Sequence, residues 1–180
     1  SDGAKSIVFS GDMGRPDDPV MKPPAAIHSA DYLVLESTYG DRLHGHENPF
    51  DQIDGIIRDT AARGGTVVIP ASAVGRKQSI LYSLYELKKA KAIPNLPVFL
   101  DSLMAINVTE LLQRYGADHR LAKKLCADVC HVAAYSRTVD DSKALDHANG
   151  LPAVVISASG MATGGRVLHH LKHFIGDPRN

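Results

Sequence analysis

The chain has 180 residues, 44% of them apolar, which is enough for one sizeable core. Twenty Lys and Arg balance 20 Asp and Glu, so net charge argues neither for nor against a nucleic-acid partner and leaves room for a local basic surface. Two cysteines exclude a secreted disulfide framework, and no apolar run approaches the ~20 residues of a membrane span. The expectation is a soluble protein of a reducing, cytoplasmic compartment, with no signal peptide at its start. Both ends look cut, so the chain reads as a piece of a longer protein.

The first strand is Ile7-Val8-Phe9, a short apolar run of the kind buried on both faces, and it leads into Ser10-Gly11-Asp12. Residues 13–25 carry Pro16, Pro19, Pro23 and Pro24 and read as a loop. A second buried strand, Tyr32-Leu33-Val34-Leu35, leads into Glu36-Ser37-Thr38-Tyr39-Gly40-Asp41. A helix follows over 49–63, capped by Asn48, begun by Pro49 and stopped by Gly64, with Phe50, Ile53 and Ile57 on one face.

The next strand, Thr66-Val67-Val68-Ile69, runs into Pro70-Ala71-Ser72-Ala73-Val74-Gly75-Arg76. A helix over 76–91 buries Ile80, Leu81, Leu84 and Leu87 and places Lys88, Lys89 and Lys91 near its end. Pro97-Val98-Phe99-Leu100 ends in Asp101-Ser102, and a third helix over 102–115 stops at Gly116. Beyond it come a helix over 121–126, a short strand at Val132-Ala133-Ala134, and a helix over 138–148 with Asp141 near its start. The last strand, Ala153-Val154-Val155-Ile156, enters SASGMATGGR, and a final helix follows Gly164-Gly165. This alternation of strand and helix implies an α/β fold with a doubly wound, mainly parallel sheet flanked by helices.

Carboxylates, hydroxyls and glycines gather after five of these strands, at the carboxyl edge where open α/β sheets bind ligands. Ordinary turn and capping chemistry uses the same residue types. In SASGMATGGR the small residues permit a tight turn. The free amides at the following helix start, with Ser159, Gly160, Thr163, Gly164 and Arg166, form a candidate phosphate cradle. The stretch is neither a Walker loop nor G-x-G-x-x-G, and a plain strand-to-helix turn is the other reading. Arg76 and Lys77 are two cations at a helix start, where the dipole disfavours them, so they suit either a polyanion or a solvated end.

Cys126 and Cys130, with His131 and His119 nearby, have zinc-like spacing but no second pair, and read as apolar filler. His169, His170 and His173 in HHLKH read as a surface cluster.

Taken in order, FSGDMGR, LESTYGDRLH, VVIPASAVGRKQSILYSLYEL, VFLDSLMA, YSRTVDDSKALD and VVISASGMATGGRVLHHLKHFIGDPRN resemble the β-CASP branch of the metallo-β-lactamase superfamily. That branch includes bacterial and archaeal RNA-processing nucleases and the endonuclease subunit of the cleavage and polyadenylation specificity factor. The resemblance implies a cap domain over residues 41–180, with its end open to truncation. Residues 1–40 would be the last part of a first metallo-β-lactamase αββα segment. It implies a full-length zinc-dependent ribonuclease, endonuclease or exonuclease, that hydrolyses single-stranded RNA through a hydroxide held by two zinc ions.

By the same resemblance Asp12 is the zinc-bridging aspartate, Glu36 is the supporting carboxylate, and Arg76 and the 159–166 turn face the RNA cleft. The H-x-H-x-D-H motif and the later motif histidines of the family are absent from this sequence. The chain by itself is therefore expected to hold no zinc and to cleave nothing. The other readings are a non-catalytic RNA-binding cap module, a DNA-processing member of the family, and an unrelated doubly wound enzyme whose glycine turn holds a nucleotide phosphate. The oligomeric state is open.

Overall fold

Val- and Ile-rich runs become strands here, and the amphipathic stretches between them become helices. The computed structural model describes residues 4–43, 45, 49–72, 74–147 and 151–180. The expected cap at Asn48 and the expected helix end at Ala148 lie outside those residues. In chain order the elements are β1 (Ile7–Phe9), β2 (Tyr32–Val34), α1 (Pro49–Ala62), β3 (Thr66–Pro70), α2 (Arg76–Lys89), β4 (Val98–Asp101), α3 (Leu103–Arg114), α4 (Lys123–Cys130), β5 (Ala134–Tyr135), α5 (Val139–Asp146), β6 (Ala153–Ser157) and α6 (Val167–Phe174).

The strands β3, β6, β4 and β5 form one parallel sheet in that spatial order. The path β3–β4–β5 steps across the sheet one way, and β5–β6 steps back. Right-handed crossovers therefore send α2, α3 and α4 to one face and α5 to the other. The packing agrees: α2 and α3 both meet α4, α1 lies on β3 and α2, and α5 meets α6. The inner strands are buried as their composition predicts, with Leu100, Val154 and Ile156 fully inaccessible. Leu81, Leu84 and Leu87 of α2 join Ile106, Val129 and Ile57 in the same core.

Local signals end the helices where expected. Gly64 stops the turn after α1 at φ +76°, a conformation that suits glycine. The Ser102 side chain accepts from the Ala105 amide at the start of α3. Thr138 and Asp141 close a reciprocal capping box on α5. The helix expected at 121–126 lies instead at Lys123–Cys130, which places Cys126 and Cys130 one turn apart, both buried. Burial, with Cys130 alongside, pushes the Cys126 thiol up to about 11. Among the described residues no group of three or more His, Cys, Asp or Glu could hold a metal ion. No described helix is long and apolar enough to cross a membrane.

The first two strands correct the sequence reading. They pair in parallel, Ile7 with Tyr32 and Phe9 with Val34, but as a separate two-stranded ladder. Neither is buried: Phe9 is 72% exposed and Leu33 60%. An apolar run forms a buried strand only where other elements cover it, and among the described residues none covers this ladder. The five strand ends expected to share one rim are accordingly divided between two sheets.

The proline-rich loop between them is better anchored than its composition suggests. Val20 is fully buried in the core. Asp18 Oδ1 accepts from the amides of Val20 and Met21, and its Oδ2 accepts from the Ser79 hydroxyl of α2. Arg120 donates from Nη2 to the Pro16 carbonyl at 2.6 Å and from Nε to that of Met21 at 3.0 Å. A strap over 16–22 is thus fastened to α2 and to the segment between α3 and α4.

Candidate functional site

Polar side chains collect at two strand ends, one in each sheet. At the end of the β1–β2 ladder, the Ser10 amide donates to the Val34 carbonyl, and the Glu36 amide donates to Ser10 Oγ at 2.9 Å. These bonds bring the chain after β1 against the chain after β2. Asp12 follows two residues beyond Ser10 and is exposed, whereas Glu36 is half-buried. Glu36 Oε2 accepts from the Thr38 amide at 3.0 Å, which orders the turn after β2. Both carboxylates therefore leave the same end of one ladder.

At the larger sheet the register sets Pro70 beside Ser157 and Ser157 beside Asp101. The loops after β3 and β6 touch: a Cβ on Gly160 would come within 2.9 Å of the Ser72 amide nitrogen. The 158–167 turn folds on itself through Ser159 N–H to Gly164 O, Ala162 N–H to Ser159 O and Val167 N–H to Ala158 O. Gly165, at φ +76°, leaves no room for a Cβ, which would lie 2.7 Å from the Ala158 carbonyl. Gly160 and Thr163 are exposed, Ser159 and Gly164 half-buried. Arg76 is exposed at the start of α2, after the β3 loop that touches this turn through Ala71 and Ser72.

Lys77 does not join that surface. Its side chain is fully buried, its ammonium has no hydrogen-bond partner among the described residues, and it is drawn toward Asp101. Burial lowers its pKa to about 8, with Asp101 pulling the other way. The expectation that Lys77 contacts a polyanion directly is corrected by this placement: α2 turns residues 77, 78, 81 and 84 inward together.

The buried centre of the larger rim is Asp101. Its Oδ1 accepts from Arg166 Nη1 at 2.6 Å, and its Oδ2 from Ser142 Oγ at 2.6 Å and His170 Nε2 at 2.8 Å. The Ser157 hydroxyl donates to the Asp101 carbonyl at 3.1 Å. Burial works against an ionised Asp101, but the bonds from His170, Ser142 and Arg166 win and hold its pKa below the usual carboxylate value. Beyond it, His170 Nδ1 lies 2.6 Å from Asp146 Oδ1. Burial opposes a charged His170, yet the bonds to Asp101 and Asp146 outweigh it and raise its pKa above the ordinary 6.5.

Arg166 also donates from Nη1 to the Ser136 carbonyl at 3.2 Å. Its Nε and Nη2 have no partner among the described residues, and its side chain is 21% exposed. It is the cradle residue best placed to meet an anion.

Sequence reasoning named Asp101 as a strand end and Arg166 as a ligand residue, but missed that they pair. It also missed Ser142, Asp146 and the burial of His170. HHLKH was read as a surface cluster, and that holds for His169 and His173, which are exposed. His170 is fully buried because it lies one turn from Val167 on the inner face of α6. The spacing Val167, His170, Phe174 carried that signal.

A parallel sheet flanked by helices, with a glycine-rich turn at its carboxyl edge, is the arrangement that the motif resemblance implies for a β-CASP cap. The Beta-Casp domain family matches residues 77–180, more than half of the chain. The chain belongs to that family, the β-CASP branch of the metallo-β-lactamase superfamily. It is 40% identical to "Ribonuclease TTHA0252" of Thermus thermophilus, over 98% of this chain and 42% of that protein. It is 29% identical to "Probable RNase MJ4" of Methanocaldococcus jannaschii, over 98% of this chain and 41% of that protein. It is also 29% identical to "Transcription termination factor FttA" of Methanosarcina mazei, over 99% of this chain and 30% of that protein. The chain spans less than half the length of these relatives.

Proposed function

We propose that the chain is the cap-bearing part of a zinc-dependent ribonuclease that hydrolyses phosphodiester bonds of single-stranded RNA. Residues 41–180 are the cap and residues 1–40 belong to the metallo-β-lactamase part. The observation that carries the reading is the family match over residues 77–180, together with a 40% identical relative named a ribonuclease. The geometry supports it with an exposed Arg76 and a partly exposed, half-satisfied Arg166 beside one compact glycine turn. Guanidinium groups and free backbone amides are the usual means of holding phosphate, but the expected helix-start amides do not serve, because Val167, Leu168 and His169 donate to the carbonyls of Ala158, Gly165 and Arg166.

The described residues do not make a zinc site by themselves, since no three ligands converge and Asp12 supplies one carboxylate. In this reading Asp12 is one ligand of a pair of zinc ions completed by sequence outside this chain. What the chain does is bind and orient. Arg76 and Arg166 neutralise the RNA backbone, the 159–164 turn offers amides and the Ser159 and Thr163 hydroxyls, and Glu36 keeps the turn behind Asp12 in place.

The chain alone is then inactive and a weak RNA binder at most. The test is metal content and RNA cleavage in the full-length protein and in its Asp12→Asn variant. The reading expects two zinc ions per full-length chain, with cleavage and full zinc occupancy both lost in the variant. Full activity in Asp12→Asn would overturn it.

A further inference from the structure

One buried feature is left unused by the binding surface itself, namely the chain of contacts behind Arg166. Asp146 of α5, His170 of α6, Asp101 at the end of β4 and Arg166 form a continuous line: 2.6 Å, 2.8 Å and 2.6 Å. A carboxylate oxygen only accepts, so a ring nitrogen facing one must carry hydrogen. His170 faces a carboxylate with each nitrogen, an arrangement that favours the doubly protonated imidazolium and agrees with its raised pKa. It is fully buried, and the groups around it are Asp101 from β4, Asp146 and Ser142 from α5 and, beyond Asp101, Lys77 from α2 and Arg166. Nothing in RNA contact requires a buried imidazolium. What it does, together with the Ser142 hydroxyl, is fix Oδ2 of Asp101, so that Oδ1 is left to hold a single nitrogen of Arg166.

We infer that His170, as an imidazolium locked between Asp146 and Asp101, is a positioning residue for Arg166: it sets the carboxylate that grips Nη1, so that Nε and Nη2 are held toward the rim to receive an RNA phosphate. This rests on the reading of Arg166 as an RNA contact. Arginine has five donors in a rigid fork, so gripping one nitrogen fixes the direction of the rest. Ordering that long side chain before binding removes part of the entropy lost on association. Without His170, Asp101 Oδ2 keeps only the Ser142 hydroxyl, a weaker hold than the pair, so the carboxylate is freer to rotate or to take Arg166 bidentately, which draws its donors inward.

The test uses the full-length protein and a single-stranded RNA oligonucleotide read by fluorescence anisotropy, with Arg166→Ala, His170→Gln and the double variant. Arg166→Ala is expected to weaken binding roughly tenfold. His170→Gln, though it touches no RNA, is expected to weaken it roughly three- to tenfold. The double variant should be no weaker than Arg166→Ala, because the two changes remove one interaction. Nitrogen NMR of the His170 ring should show both nitrogens protonated at pH 7.5.

If Arg166→Ala weakens binding while His170→Gln does not, or if the losses simply multiply, the positioning role is overturned and the RNA reading stands. If Arg166→Ala has no effect, the reading of Arg166 fails, and this inference with it. A neutral His170 ring at pH 7.5 also overturns the inference. Should His170→Gln fail to fold by thermal melting, Asp146→Asn replaces it. Asp146 is 12% exposed, and its variant removes one of the two charges holding the ring. The same coupling to Arg166→Ala is then required, and its absence overturns the role.

Discussion

Asp12 and Asp101 both end a short apolar strand, yet the first is exposed and the second fully buried among Arg166, His170 and Ser142. The strands themselves differ in the same way. Phe9 and Leu33 stand open, whereas Leu100 and Val154 are inaccessible. The lesson is that the residue type at a strand end sets what chemistry is available, and the elements packed around that strand decide whether the carboxylate binds outward or holds its neighbours. The larger sheet uses its aspartate to organise an arginine. The ladder leaves its aspartate free for something else.

That contrast can be broken by mutation. Asp101→Asn removes the charge that two buried cations and a half-buried arginine face. It should destabilise the chain by about 3–5 kcal/mol in urea titration, whereas Asp12→Asn should lie within about 0.5 kcal/mol of wild type. Equal losses at the two positions would erase the distinction. The apolar counterpart compares Leu84→Ala with Phe9→Ala. Leu84 is fully buried and Phe9 72% exposed, so the expected losses in the same chain are about 2–5 and below about 0.5 kcal/mol. A large loss at Phe9 would mean that the ladder is covered after all.

Lys77 sharpens the comparison from the opposite side, since it is a charge that the larger sheet buries at a cost. Its folded pKa of about 8 lies below the ordinary 10.5. Between those values the unfolded chain binds more protons, so this residue makes stability rise with pH across that window. At pH 7 the penalty is fully present, and Lys77→Met should stabilise the chain by roughly 1–3 kcal/mol. The advantage of the variant should shrink from pH 8 to 10.5 in denaturation curves. An advantage that does not change with pH would show that the ammonium is solvated.

Much of the larger unit could be read from the sequence, because its signals are local. Gly64 stops its helix as expected, and the helices expected to begin at Ser102 and Thr138 begin one residue later, with those two residues as their caps and Asp141 closing the second. The glycine turn after β6 and the loop after β3 are expected on one edge, and the parallel register of β3 and β6 brings Gly160 against Ala71 and Ser72. What escaped depended on distant partners. His170 meets Asp101 from 69 positions away, and no local pattern announces that. The burial of Lys77 depends on the inward turn of α2 above the end of β4. The exposure of β1 and β2 escaped because an apolar run does not state what will cover it.

The most direct measurement is the salt dependence of RNA binding in the full-length protein, compared between wild type and Arg166→Ala. If Arg166 meets an RNA phosphate at the rim organised by Asp101, the variant binds more weakly at every salt concentration, and its slope of log affinity against log salt is shallower by about one. Superimposable lines for the two proteins would contradict the account.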